Sequence, residues 1–181
     1  MMKTPSKTLL ALLLVSCTGP ALAHPGAHEH VLAAGFLHPL TGLDHLLALL
    51  AAGVWSARQP RGGRLLPVFL LAMLAGAVAG MAGLAMPGLE TGMAATVVAA
   101  GLLVMASLRL PAGAGMALFA AFATLHGNAH GLELPLASAV GYLAGSALLL
   151  AAGRAIGARA SATVVRCAGA GVALAGMLLL G

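Results

Sequence analysis

Long apolar stretches alternate along this chain with short segments rich in glycine, proline or arginine. Each stretch is close to the roughly 20 residues that a helix needs to cross a bilayer. Ala, Leu, Val and Gly fill most apolar positions, so the pattern favours helices over the two-residue alternation of an outer-membrane barrel. We therefore predict an all-α polytopic membrane protein, a six-helix transmembrane bundle with spans near 31–56, 65–86, 91–109, 112–131, 135–153 and 162–180.

Composition supports a membrane location. Hydrophobic residues make up 61% of the 181 residues and charged residues only 7%, whereas soluble domains carry roughly 25% charged residues. The length leaves room for one membrane domain and for no second soluble domain. The net charge of +5 does not indicate nucleic-acid binding, because the basic residues form no run interleaved with aromatics.

The amino terminus has the three regions of a secretory signal. Two lysines precede an apolar stretch at residues 9–15, and Ala21-Leu22-Ala23 fits a cleavage site. We expect a signal peptide at residues 1–23 and a mature membrane domain at 24–181. The segment ending at Cys17 also fits the pattern at which lipoproteins are cut, and this alternative stays open. Neither cleavage leaves a cysteine pair for an internal disulfide.

The arginines predict the orientation. They fall in the segments between spans one and two, three and four, and five and six, at Arg58, Arg61, Arg64, Arg109, Arg154 and Arg159. All three segments lie on one side of a six-span protein, and the positive-inside rule makes that side cytoplasmic. A cleaved signal places both mature termini in the periplasm of a bacterial inner-membrane protein. Small-residue pairs such as Gly76-x-x-x-Gly80 and Gly141-x-x-x-Gly145 are interpreted as helix-packing positions.

Histidines carry the candidate chemistry, and the first cluster is at residues 38–45, His-Pro-Leu-Thr-Gly-Leu-Asp-His. On a straight helix His38 and His45 would share a stripe about 10 Å apart, too far for one ion. Pro39 and Gly42 allow a kink or a helix start that brings the two rings together. Asp44 adds a carboxylate that offsets the charge of a divalent cation. Alternatively, Pro39 simply begins the helix and His38 lies among the lipid headgroups.

The second cluster is at residues 126–133, His-Gly-Asn-Ala-His-Gly-Leu-Glu. His126 and His130 are four apart, share a helix face and can bind one metal together, while Glu133 can orient His130 or join the ligands. The spacing is similar to half of a zinc protease motif, but Gly127 stands where that motif has its catalytic glutamate. A helix-end histidine pair in the headgroup region is the other interpretation.

A third group lies in the predicted mature tail, where His24, His28 and His30 either capture a cation or belong to a solvated tail. Imidazole and carboxylate ligands suit Ni²⁺, Co²⁺, Zn²⁺ and Cu²⁺, and the lack of paired cysteines argues against sites for soft ions. We expect no tightly bound cofactor and no catalytic residues.

Both motifs resemble those of the HupE/UreJ family, His-Pro-x-x-Gly-x-Asp-His in the first span and His-Gly-x-Ala-His-Gly-x-Glu in the fourth. The resemblance implies a permease for nickel, or sometimes cobalt, that supplies hydrogenase or urease maturation. It also implies that the metal ligands or relay groups are His38, Asp44, His45, His126, His130 and Glu133, and that Gly42 and Gly127 are structural. Leu125 is a minor departure where an aromatic is expected.

The expected mechanism is passage of Ni²⁺ from the outer face inward between helices, as a transported ion rather than a cofactor. Because the ligands must be neutral imidazoles, uptake should fall as the pH drops through about 6.5. Two alternatives are a metal-binding accessory protein without transport and an intramembrane metal-dependent hydrolase. The hydrolase lacks a clear general base, so we expect the protein not to be an enzyme.

Overall fold

The computed structural model describes residues 28–181, with side chains from Val31 onward. The predicted signal peptide at 1–23 and the predicted mature start at His24 lie outside these residues. The described chain is all-α, as predicted, and forms helices α1 (His28–Thr41), α2 (Leu43–Ala57), α3 (Leu65–Met81), α4 (Leu89–Met105), α5 (Ala112–Glu133), α6 (Ala139–Arg159) and α7 (Ala162–Leu179).

The predicted first span is not one straight helix. α1 and α2 meet at an angle of 74°, with Gly42 between them in an extended conformation (φ −77°, ψ 114°). Pro39 has no backbone N–H and lies in the last turn of α1, where it weakens the helix just before the break. The sequence anticipated a kink at this position, and the structure shows a sharp one.

Other boundaries differ from the predicted spans. α3 ends at Met81 rather than near 86, because Gly83 adopts a positive φ of 81°, a conformation that stops a helix. The predicted span 135–153 begins with a 3₁₀ turn at Leu136–Ser138 and continues in α6 as far as Arg159. Arg154 was placed in a loop by the sequence; it lies inside α6.

Length and hydropathy qualify three helical segments of the described chain as membrane spans: Gly62–Met81, Leu136–Arg159 and Ala162–Leu179. The bent pair α1–α2 makes a fourth if it counts as one span, and α4 is a shorter apolar helix. Large apolar side chains point outward, for example Leu71, Leu148 and Leu178, which are 67%, 52% and 76% exposed. Such apolar surfaces fit a lipid environment.

Close helix packing depends on glycines, most clearly between α3 and α5. A Cβ at Gly76 would overlap the carbonyl oxygen of Thr124 on α5, and a Cβ at Gly127 would overlap the carbonyl oxygen of Met73 on α3. The backbones of the two helices therefore touch, as in small-residue interfaces of membrane proteins. Gly141 and Gly145 pack in the same way against α1. The predicted packing role of both glycine pairs is confirmed.

The two ends of the bundle differ in chemistry. At one end the α2–α3, α4–α5 and α6–α7 connections meet: Trp55 Nε1 donates to Leu108 O at 2.9 Å, and Arg58 donates to Ala160 O. This is the arginine end, defined by Arg58, Arg61, Arg64, Arg109, Arg154, Arg159 and Arg166. At the opposite end lie the α1–α2 break and the carboxyl end of α5. The structure thus gathers the three basic connections at one end, as the sequence indicated.

Candidate metal centre

The break between α1 and α2 brings the first-motif histidines together. Gly42 N still donates to His38 O (3.0 Å), and Leu46 N donates to Gly42 O (2.9 Å), so backbone hydrogen bonds continue on both sides of the break. The ring centroids of His38 and His45 lie 5.6 Å apart, against about 10 Å on a straight helix. A Cβ at Gly42 would lie 3.2 Å from His45 Nδ1, so glycine here leaves room for the His45 ring.

Four imidazoles from α1, α2 and α5 form one cluster, which we call the histidine cluster: His38, His45, His126 and His130. The His45 ring is central, with centroid distances of 4.8 Å to His126 and 4.4 Å to His130. His38 closes the group at 5.0 Å from His130. His45, His126 and His130 are buried, and His38 is half-buried. Both sequence clusters therefore contribute to a single site.

Asp44 fixes the orientation of His45. Its Oδ1 accepts from the His45 backbone N at 2.8 Å and lies 2.9 Å from His45 Nδ1. Since an ionised carboxylate only accepts hydrogen bonds, Nδ1 carries the proton and Nε2 carries the lone pair. Nε2 is buried and has no hydrogen-bond partner among the described residues. A carboxylate that holds the far nitrogen of a ligating histidine is typical of metal sites.

Thr96 on α4 does the same for His126. Its hydroxyl lies 2.7 Å from Met93 O and 2.8 Å from His126 Nε2. The single hydroxyl hydrogen goes to the carbonyl, which can only accept, so Thr96 accepts from His126 Nε2–H. The lone pair of His126 is then on Nδ1, which is buried without a partner in the described chain. Thus His45 and His126 each present one free ligand nitrogen.

His130 is held by stacking rather than by hydrogen bonds. The ring of Tyr142 on α6 lies parallel to it, with a centroid distance of 4.6 Å and an interplanar angle of 8°. Neither ring nitrogen of His130 has a hydrogen-bond partner within residues 31–181. Buried polar atoms without partners are uncommon in folded proteins, and their grouping here is what a cation-binding site requires.

The side chains that could hold a metal ion fall into two overlapping sets. One is His38, His45 and His130, and the other is Asp44, His45 and His126. Within each set the ligand atoms lie within 4.8 Å of one another. Two metal–nitrogen bonds of about 2.1 Å place their nitrogens no more than about 4.2 Å apart, so small side-chain rotations would complete either set. In each set one side chain is half-buried, His38 in the first and Asp44 in the second, and the two histidines beside it are buried. Each set therefore extends from the protein surface into the interior.

The sequence indicated that His126 and His130 can bind one ion together. In the structure the two histidines fall in different sets that share His45, whose ring lies 4.8 Å from His126 and 4.4 Å from His130.

Glu133 contacts the first motif instead of His130. Its Oε2 lies 3.5 Å from His38 Nε2, and its side chain is 53% exposed. It belongs to neither ligand set and stands at the outer edge of the site. Together with Glu90 it lines a cleft of about 430 Å³ between the start of α4 and the end of α5. The two carboxylates give this opening a negative character, and Glu133 connects it to the histidine cluster through His38.

Asn128 lies between the two histidines of the second motif and holds the α3–α4 connection. Its side-chain oxygen accepts from Met86 N at 3.0 Å, and its Nδ2 donates to Leu84 O at 2.8 Å. The side chain is fully buried. The sequence prediction gave it no role, although an amide between two histidines of an apolar helix was a usable signal.

Thr96 and Tyr142 were also missed. Tyr142 is the only tyrosine of the chain, and that rarity was a usable signal. Thr96 is one of two threonines in α4 and carries no such signal. The predicted tail ligands cannot be compared with the structure: His24 lies outside the described residues, as do the side chains of His28 and His30.

Comparison with known proteins agrees with the motifs. A family model described as "HupE / UreJ protein" matches residues 11–179. The chain belongs to the HupE/UreJ family. A curated relative, "Protein HupE" of Rhizobium leguminosarum bv. viciae, is 38% identical over 186 residues, which cover 96% of this chain and 95% of the relative. No solved structure matches the chain. The resemblance stated from the two HupE/UreJ motifs is confirmed.

Proposed function

We propose that this protein transports Ni²⁺, or alternatively Co²⁺, across the bacterial inner membrane for metalloenzyme maturation. The observation that supports the proposal best is the pair of ligand sets that share His45 at one end of an apolar helical bundle. Overlapping sites suit transport, because an ion can move from one set to the other by exchanging ligands around a shared histidine. Binding must remain weak enough for release.

The proposed path begins at the acidic cleft beside Glu90 and Glu133. The hydrated ion loses waters first to half-buried His38 and then to buried His45, His126 and His130. It continues between the helices toward the arginine end, which the positive-inside rule places in the cytoplasm. In this orientation six spans, with the bent pair as the first, put both mature termini in the periplasm. Neutral imidazoles are the ligands, so protons compete with the metal ion and uptake decreases in acid.

Metal accumulation in cells tests the proposal. Cells that lack their own nickel permease and express the wild-type chain should accumulate radioactive nickel, and His45→Ala or His126→Ala should remove most of that gain. Cys167→Ala is the matched control, because Cys167 is exposed and far along the chain from both motifs. Unchanged accumulation in both histidine variants, at equal membrane expression, would contradict the proposal.

Two alternatives give different results. A metal-binding accessory protein would bind nickel through the same ligands but give no flux in liposomes. An intramembrane metal-dependent hydrolase would cleave lipid or amide substrates when metal-loaded, and Asp44→Asn would remove that activity. Asp44 already accepts from the ring and the backbone of His45, an arrangement that fits a role in orienting His45.

A further inference from the structure

A second cleft lies at the arginine end, far from the histidine cluster. It has a volume of about 240 Å³ and lies between α2, α4 and the first turn of α7. Its polar lining includes Arg58, Arg109 and Arg166, and its apolar lining includes Trp55 and Val165. Three guanidinium groups thus border one partly apolar cavity. We call it the arginine cleft.

The arginine cleft has no internal counter-charge. The whole chain contains four acidic residues, and none of them lines the cleft. Asp44 and Glu133 pair with histidines at the opposite end of the bundle. In the described part of the chain, no carboxylate forms a salt bridge with an arginine. Any neutralising group must therefore come from outside the protein.

Hydrogen-bond donors in the arginine cleft are only partly used. Arg166 Nε donates to Ser107 Oγ at 3.4 Å, and Arg58 donates to Ala160 O. Arg58 Nε is buried without a partner among the described residues. Ala162, the first residue of α7, also lines the cleft, so the positive end of that helix dipole adds to the field.

We propose that the arginine cleft binds a phosphate-bearing anion, supplied by the headgroup of an anionic phospholipid. Arginine is well suited to phosphate because its planar donors match the phosphate oxygens. The apolar lining favours a lipid over free phosphate, since it offers contacts for the glycerol and the first acyl carbons. Basic pockets between transmembrane helices on the cytoplasmic side are typical sites for such headgroups. The proposal requires a membrane location but not nickel transport.

Native mass spectrometry of the purified full-length chain tests this proposal. The probes are phosphatidylglycerol, phosphatidylcholine with the same acyl chains, and inorganic phosphate. The test variant is Arg109→Gln/Arg166→Gln, in which both changed residues are exposed. The matched control is Arg64→Gln/Arg159→Gln, which removes the same charge from the same end of the bundle at exposed residues that do not line the cleft.

The wild type should retain phosphatidylglycerol at least ~10-fold better than phosphatidylcholine. The Arg109→Gln/Arg166→Gln variant should bind phosphatidylglycerol about 10-fold more weakly than the wild type or worse. The Arg64→Gln/Arg159→Gln control should bind it as the wild type does. Equal loss in both double variants would show general charge attraction and overturn the site. Competition by inorganic phosphate at similar concentrations would overturn the lipid assignment. If the double variant does not purify, Arg109→Gln alone replaces it, because the Arg109 side chain forms no hydrogen bond with the described residues.

Discussion

At the residue scale, the site depends on side chains that set which imidazole nitrogen is free. Thr96 accepts from His126 Nε2 at 2.8 Å, and Asp44 does the same for His45 Nδ1 at 2.9 Å. Partners of this kind orient the ligands in metal sites, and removing one typically costs 10- to 100-fold in metal affinity. Thr96 lies outside both motifs, so it provides a test of the geometry that is independent of the motif residues.

Thr96→Val should weaken nickel binding by about 10-fold while Thr96→Ser retains it, because serine keeps the accepting hydroxyl. Affinity measured by isothermal titration of the purified protein checks this. Thr124→Val is the control, since the Thr124 hydroxyl donates only to Ala120 O of its own helix. Equal nickel affinity in Thr96→Val and the wild type would show that His126 does not bind the metal through Nδ1.

At the element scale, direct backbone contact between α3 and α5 positions the second motif. Gly127 lies between His126 and Asn128, and a Cβ there would overlap the Met73 carbonyl. Gly127→Ala should therefore lower stability by about 1–3 kcal/mol through overpacking. Gly113→Ala, in the first turn of the same helix, meets nothing within 4 Å and should be neutral or stabilising by up to about 1 kcal/mol. Thermal unfolding in detergent compares the two, and equal midpoints would contradict the contact.

The sequence predicted the helical class, the motif residues and the kink near Gly42. Those features follow from local signals, namely apolar length, histidine spacing and a proline beside a glycine. It did not predict that His126 and His130 fall in different sets that share His45, or that Glu133 contacts His38. Contacts between helices depend on rotation and tilt, which the pattern within one helix does not determine. The sequence did not predict that α6 continues to Arg159, because a glycine followed by an arginine at 153–154 is typical of a loop between spans. In the structure Gly153 packs against the Leu50 backbone instead.

At the scale of the whole molecule, the histidine cluster and the arginine end lie at opposite ends of the bundle. We expect the cluster to face the periplasm and the arginines to face the cytoplasm. Thr91 is exposed at the cluster end, and Gly63 is exposed at the arginine end. In a Cys167→Ala background, a membrane-impermeant maleimide added to spheroplasts should label Thr91→Cys but not Gly63→Cys. Labelling of Gly63→Cys but not of Thr91→Cys would place the histidine cluster at the cytoplasmic face. That result would contradict inward transport that begins at the cluster.

Nickel flux into proteoliposomes, followed with a metal-sensitive dye inside the vesicles, tests the shared role of His45 most directly. Wild-type protein should carry Ni²⁺ inward, and His45→Asn should reduce the rate by at least about 10-fold, because both ligand sets lose their common member. Tm and helical content should stay close to wild type in that variant. Equal flux through His45→Asn and wild-type protein would contradict a path through the histidine cluster, and nickel binding without flux in the wild type would contradict transport itself.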